Sequence, residues 1–205
     1  MDKNSLLDLT HNFNKRNIEV KFFETLDSVK SYILELIPLN STVGIGHSTT
    51  LEKISLTSSL IEKGYTVYDK ELSKDKIEGT SIKKKALTSD WYITGSNAIS
   101  IDGRIVNVDH SGNRVSAISF GPDKVIIVVG KNKIVDTLEN AIKRVKNISC
   151  PLNAKRAGYN PPCVELNKCV DCTSKERVCN ILSIVEGQID KNRISLFIVN
   201  EESGF

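Results

Sequence analysis

Four cysteines fall close together late in the chain, as Pro162-Cys163, Cys169, Cys172 and Cys179, with five, two and six residues between successive thiols. Thiolates at this density in one loop can converge on a single metal centre, either four-coordinate zinc or an iron–sulfur cluster. Paired disulfides are the competing reading. Pairing needs an oxidising compartment, whereas the sequence opens Met1-Asp2-Lys3-Asn4 without an apolar signal run, which gives reduced thiols and a cytoplasmic location as the expectation. Cys150 follows a helical stripe, lies thirteen positions before Cys163 and is expected outside the centre.

Three polar loops hold the other candidate groups. In the first, a strand runs into Gly44, Gly46, His47 and Ser48, and Thr49 with Glu52 has the spacing of a capping box. Glycines let the backbone approach a ligand closely, and the N–H groups opening a helix favour an anion; a tight capped turn explains the same residues without a ligand. The second loop, Thr94-Gly95-Ser96-Asn97, supplies neutral donors and acceptors at a strand end, where ligands of open parallel sheets gather. The third runs from Asn107 to Val115 and carries Asp109, His110, Asn113 and Arg114. Asp109 and His110 suit a general acid–base pair, and the planar fork of Arg114 suits a carboxylate or phosphate. A turn with a helix cap needs only Asp109 and Ser111. His47 is grouped with Asp109 and His110 as a catalytic candidate; Gly44, Gly46, Ser48, Ser96, Asn97, Asn113 and Arg114 form the candidate substrate pocket.

The elements that must position these loops follow from hydrophobic period. Val29, Tyr32, Ile33 and Leu36 make one helical stripe, ended by Pro38; Ile134, Leu138, Ala141, Ile142 and Val145 make another, expected to stop before Cys150-Pro151. Between helical stretches lie β-rich runs at Val20–Phe23, Thr42–Ile45, Thr66–Tyr68, Trp91–Thr94, Lys124–Val129 and Ser195–Val199. Alternation of this kind predicts β-α-β units and a mainly parallel open α/β sheet with helices on both faces. Thr42–Ile45, Trp91–Thr94 and Lys124–Val129 are expected in its middle. Ala98–Asp109, with a turn at Asp102-Gly103, predicts a β-hairpin excursion at the sheet's margin. The whole chain is expected to be one domain, with residues 150–182 as a Cys-rich, metal-binding appendage.

Composition narrows the function classes. A hydrophobic content of 40% and a charged content of 26% describe an ordinary ordered protein, and a net charge of +3 is too slight to argue for nucleic acid. The basic run Lys83-Lys84-Lys85 fits a solvated helix face. The longest aliphatic run, Val125 to Val129, is far too short to cross a bilayer. Neither nucleic acid nor membrane is therefore an expected partner.

Taken in order, Gly44–Ser48, Thr94–Ala98, Gly112–Val115 with Phe120-Gly121-Pro122, Asn153–Arg156, and Pro162-Cys163 through Cys179-Asn180 resemble the LUD, or lactate-utilisation, domain family. The resemblance implies a NagB/RpiA/CoA-transferase-like fold and a link to oxidation or handling of lactate or a related 2-hydroxy or 2-oxo acid. It implies a small carboxylate or phosphate-bearing ligand and an iron–sulfur or redox partner protein, and it favours a [4Fe–4S] cluster over zinc. The alternative is a non-catalytic sensing or scaffold subunit with structural zinc. Reactions of the fold relatives are not expected, because the glutamyl loop of CoA transferases, the acidic motif of ribose-phosphate isomerases and the ATP loop of the cyclo-ligases are missing. Function resides in a site rather than in a scaffold.

Overall fold

A computed structural model describes residues 3–205; Met1 and Asp2, the first residues of the opening run on which the location expectation rests, lie outside the described residues. The strands are β1 (Glu19–Phe23), β2 (Thr42–Ile45), β3 (Thr66–Asp69), β4 (Trp91–Thr94), β5 (Ala98–Ser100), β6 (Arg104–Asp109), β7 (Lys124–Gly130), β8 (Ile134–Val135), β9 (Ile181–Val185) and β10 (Ile194–Val199). The α-helices are α1 (Lys3–Asn14), α2 (Leu26–Leu36), α3 (Thr49–Lys53), α4 (Leu56–Glu62), α5 (Lys76–Ala86), α6 (Asn113–Ser119), α7 (Leu138–Arg144), α8 (Cys150–Arg156) and α9 (Pro162–Leu166). Among the described residues, no helix is long and apolar enough to cross a membrane.

Six strands form one open sheet in the order β1-β10-β7-β4-β2-β3, and every pairing in it is parallel. Side chains alternate between faces with a period of two. Val125, Ile127 and Val129 of β7 and Leu196 and Ile198 of β10 join Leu9 and Phe13 of α1 and Ile118 of α6 in one core. Ile126, Val128, Phe197 and Val199 join Val29 and Ile33 of α2 and Leu56 and Leu60 of α4 in the other. Cover on both faces is what the aliphatic run of β7 requires, and the three expected middle strands lie side by side as β7-β4-β2. Helix α2 starts on a reciprocal cap: the Thr25 hydroxyl accepts from Ser28 N–H and the Ser28 hydroxyl accepts from Thr25 N–H.

Three local expectations are corrected. The β5–β6 hairpin forms and leaves the main sheet as expected, but it does not lie at that sheet's margin. It forms the middle of a second, four-stranded sheet ordered β8-β5-β6-β9, in which β9 runs antiparallel to β6. The helical stripe does not stop before Pro151. Its first residue, Ile134, belongs to β8, and α7 passes through a π-helical stretch, Val145–Ser149, directly into α8. The Cys150 N–H reaches back five residues to the Val145 carbonyl, and Pro151 sits in the first turn of α8, just after this π-helical stretch. Finally, Thr49 and Glu52 do not form a capping box. Ser48 takes the cap position without a side-chain bond, and the Glu52 carboxylate turns to His47 instead.

Candidate functional site

Because the main sheet is wholly parallel, the carboxyl ends of β2, β3, β4 and β7 open on the same edge. The loops leaving them meet in a cavity of about 430 Å³. Close approach of two of these loops depends on Gly95, since a Cβ there would meet the Ser48 hydroxyl at 2.7 Å. Of the groups singled out from sequence, His47, Ser48, Ser96, Asn97, Asp109, His110, Asn113 and Arg114 all line this cavity. Gly44 and Gly46 are not among its lining residues. Their bare α-carbons make room for β4 and the turn before it: a Cβ on Gly44 would meet Ser89 and Tyr92, and one on Gly46 would meet Thr94 and the Tyr92 hydroxyl.

The sheet-side wall is tied together before any ligand is considered. Arg114 donates through one terminal nitrogen to Gly95 O at 3.1 Å and Asn107 Oδ1 at 2.6 Å. Through the other it donates to Asn97 Oδ1 and Val108 O, both at 2.8 Å. A guanidinium so engaged holds the β4 turn onto the end of β6 and is not a free fork. Asn97 also accepts from Val108 N–H and donates its own N–H to Asn107 Oδ1. Its carbonyl accepts from Arg144 at 2.6 Å, next to the π-helical stretch. Asp109 caps α6, accepting from Arg114 N–H at 3.0 Å, so the helix-cap reading of this loop rests on Asp109, while the Ser111 hydroxyl donates to Asn113. Ser96 donates to the Ala98 and Val106 carbonyls.

Other lining groups face the cavity with capacity to spare. The Ser48 hydroxyl makes no cap bond. His47 Nδ1 lies 3.1 Å from Glu52 and 3.2 Å from Glu71, yet neither contact is aligned as a hydrogen bond, and Nε2 is buried without a partner. Burial, and then the charge of Arg156, lower the pKa of His47 against the pull of Glu52, so the imidazole is neutral near pH 7. Lys70 pairs with Glu71 at 2.9 Å and holds its carboxyl below the usual range. His110 meets the ring of Tyr159 edge-on at 5.3 Å. Among the described residues, five Lys and Arg side chains, Lys70, Lys83, Arg114, Lys133 and Arg156, line the space against two acidic side chains, Glu71 and Asp109.

A family model described as the LUD domain matches residues 6–199. The chain belongs to the LUD domain family. Among solved structures, a DUF162 family protein from Deinococcus radiodurans is 16% identical with a TM-score of 0.56, covering 96% of this chain and 97% of that one. That likeness shows a shared fold. Ribose 5-phosphate isomerase A from Methanocaldococcus jannaschii is 12% identical with a TM-score of 0.36, covering 76% of this chain and 68% of that one, too remote to inform the site. No curated protein matches the sequence.

Within this LUD domain the Cys-rich segment forms the wall opposite the sheet, since Asn153, Arg156, Tyr159 and Val178 all line the cavity. All five cysteines are free thiols. Cys150 is close to the group after all: it packs with Cys179, and its thiol hydrogen-bonds that sulfur. The twenty-nine positions between them are bridged because Cys150 packs with Val106 and Val108 of β6 and Cys179 comes just before β9, which pairs with β6. With that donor and the charges of Arg177 and Lys146, Cys179 is held as a thiolate with a pKa lowered to about 6. Burial and the negative charge of Cys172, Cys179 and Cys169 push Cys163 up. Among the described residues, no group of three or more His, Cys, Asp or Glu is arranged to hold a metal ion.

Arg156 ends the Asn153–Arg156 segment of the family resemblance, though not as a pocket candidate, and sequence patterns do not reveal Lys70, Glu71, Lys83 and Lys133 as lining groups. The Lys70–Glu71 pair directly follows β3 and Lys133 ends the short turn after β7, and that placement is the available signal. Lys83 belongs to the run that reads as a solvated face.

Proposed function

We propose that the cavity binds a small 2-hydroxy or 2-oxo carboxylate, and that this LUD domain handles lactate or a close relative. The excess of cationic over acidic side chains around a space of small-metabolite size supports that reading above all. Arg156 is the best carboxylate partner. Its Nε and one terminal nitrogen share Asn153 Oδ1, and the other terminal nitrogen is left for a ligand. Ser48 offers a hydroxyl to the substrate's 2-oxygen, and neutral His47 can accept a proton there. Electrons released by any oxidation would pass to a redox partner protein, an iron–sulfur protein being the favoured class. Calorimetric titration with L-lactate, pyruvate and inorganic phosphate tests the assignment. Arg156→Ala is expected to weaken carboxylate binding at least about tenfold; preference for phosphate over both carboxylates would overturn it.

A second reading concerns the thiols, for which an iron–sulfur cluster is favoured over zinc. As arranged they lack metal-ligand geometry, so binding requires the loop to close further. The Asp171 N–H donates to Cys169 Sγ at 3.4 Å, and Arg177 bonds the carbonyls of Cys172 and Cys179, which ties the cysteine loop together. Iron, labile sulfide and zinc analysis of anaerobically purified protein decides this reading: recovery of zinc alone supports the sensing or scaffold subunit.

A further inference from the structure

We infer that Lys133 is the cavity's nucleophile, an amine that forms an imine with the carbonyl carbon of a 2-oxo acid. This rests on the 2-oxo-acid reading of the pocket and extends it from binding to covalent chemistry. Lys133 follows β7, the strand buried on both faces, and is only 4% exposed while still lining the cavity. Among the described residues no ion pair or hydrogen bond is made by its Nζ. Among the described residues, the charges named as acting on it are Arg144 on α7, Arg114 on α6 and Lys53 on α3, each positive.

The C-terminal turn closes over the same amine. A Cβ on Gly204 would lie 2.8 Å from Lys133 Nζ and 2.9 Å from the Thr50 hydroxyl, itself buried without a partner. A lysine serving only as a structural cation is met by a carboxylate or carbonyls, because an unpaired buried ammonium is costly. Here burial and three like charges act together, lowering the pKa to about 7, so a large fraction of the amine carries a free lone pair near neutrality. Desolvation beside other cations is a known way to activate a lysine.

The step balances. The Nζ lone pair bonds to the carbonyl carbon of the oxo acid, and the C=O π pair moves to oxygen, which takes up a proton as the nitrogen releases one. The resulting carbinolamine loses its oxygen as water, leaving C=N in place of C=O. The cationic lining holds the substrate carboxylate meanwhile.

The test treats the full chain with pyruvate and sodium cyanoborohydride, which reduces an imine to a stable secondary amine, followed by intact-mass measurement and peptide mapping. The expected result is one reduced pyruvyl group per chain on the Lys133 peptide. It should be absent with lactate, which has a hydroxyl where pyruvate has its keto carbonyl, and absent in Lys133→Arg. Trapping should level off just above pH 7 rather than climb to pH 10. Peptide mapping of the unmutated chain keeps the test decisive if the variant fails to fold. Pyruvate that binds in calorimetry but leaves no adduct, or adducts scattered over surface lysines, would overturn the imine and leave the anion pocket standing. Absence of binding by both pyruvate and lactate would overturn the pocket reading and this inference with it.

Discussion

On the sheet side of the cavity, Asn97, Asn107 and Arg114 bond one another and the carbonyls of Gly95 and Val108, whereas the wall formed by Asn153, Arg156, Tyr159 and Val178 continues into a segment, Asn167 to Asn180, that runs without helix or strand. That segment is tied mainly by side chains, Arg177 to the carbonyls of Cys172 and Cys179 and Asn147 to the Cys169 N–H. One wall is ordered by its own hydrogen bonds and can position a ligand without reorganising. The other leads into a loop of thiols, where burial first and then the neighbouring sulfurs raise the pKa of Cys163, a cost that protons or a cation relieve. Preorganisation belongs to the sheet, and responsiveness belongs to the cysteine loop.

The largest test of that contrast is Lys133, a buried amine on the ordered side. Its pKa is lowered from 10.5 to about 7 in the folded chain, so the unfolded chain binds the extra proton throughout that interval. Stability attributable to the neutral amine is therefore present above pH 10.5 and is lost as pH falls toward 7. Lys133→Met should be more stable than the wild type at pH 7 by up to about 4 kcal/mol, because each pH unit between the unfolded and folded pKa values is worth about 1.4 kcal/mol. The gap should narrow steadily as pH is raised. Urea unfolding of both proteins across this range measures it, and a gap that ignores pH would show that Lys133 is paired in solution.

Next in size is Arg114→Ala. It leaves the Gly95 and Val108 carbonyls and two side-chain amide oxygens without their shared donor. Loss of about 3 kcal/mol is expected from stranded, partly buried acceptors, read as a lower urea midpoint. Arg114→Lys should recover only part of it, since a single ammonium cannot span acceptors on two strands.

Why the sheet is legible in sequence and the walls only partly so comes down to periodicity. Val125 to Val129 announce burial on both faces by composition alone, and all six parallel strands carry a β-rich run. β9 gives no such signal, because Ile181, Leu182 and Ile184 leave no alternation and remain partly exposed. The position of Arg114 in a strand-end loop is enough to bring it to the cavity, but a loop arginine's partners depend on which carbonyls the fold brings near it. Lys133 and Arg156 become lining groups through strand order and through the π-helical turn that carries α7 into α8. Neither feature has a local sequence signature. Cys150 shows the same limit, since distance along the chain says nothing of its contact with Cys179.

Gly46→Ala probes the ordered side more gently. The added methyl would lie 2.5 Å from Thr94 Oγ1 and 2.7 Å from the Tyr92 hydroxyl, so β4 must shift. A loss of about 2 kcal/mol is the expectation for overpacking at such a site. Ligand affinity should fall with it, because the same shift moves the Gly95 turn relative to Ser48. Affinity unchanged at reduced stability would separate the packing role of this glycine from the geometry of the pocket.

The smallest effect is expected from Cys172→Ser in protein stripped of metal. Cys172 is only partly buried, and the structure gives its sulfur no hydrogen bond among the described residues, so the change should move stability by less than about 0.5 kcal/mol. Hydrogen exchange in the strands of the main sheet should be untouched. In protein carrying a metal the same substitution should raise exchange throughout residues 167–180, because ligands folded around a cation lose their order with it. A metal-free Cys172→Ser protein as destabilised as Arg114→Ala would mean that the cysteine loop is held by its own packing, and the division of labour between the two walls would fall.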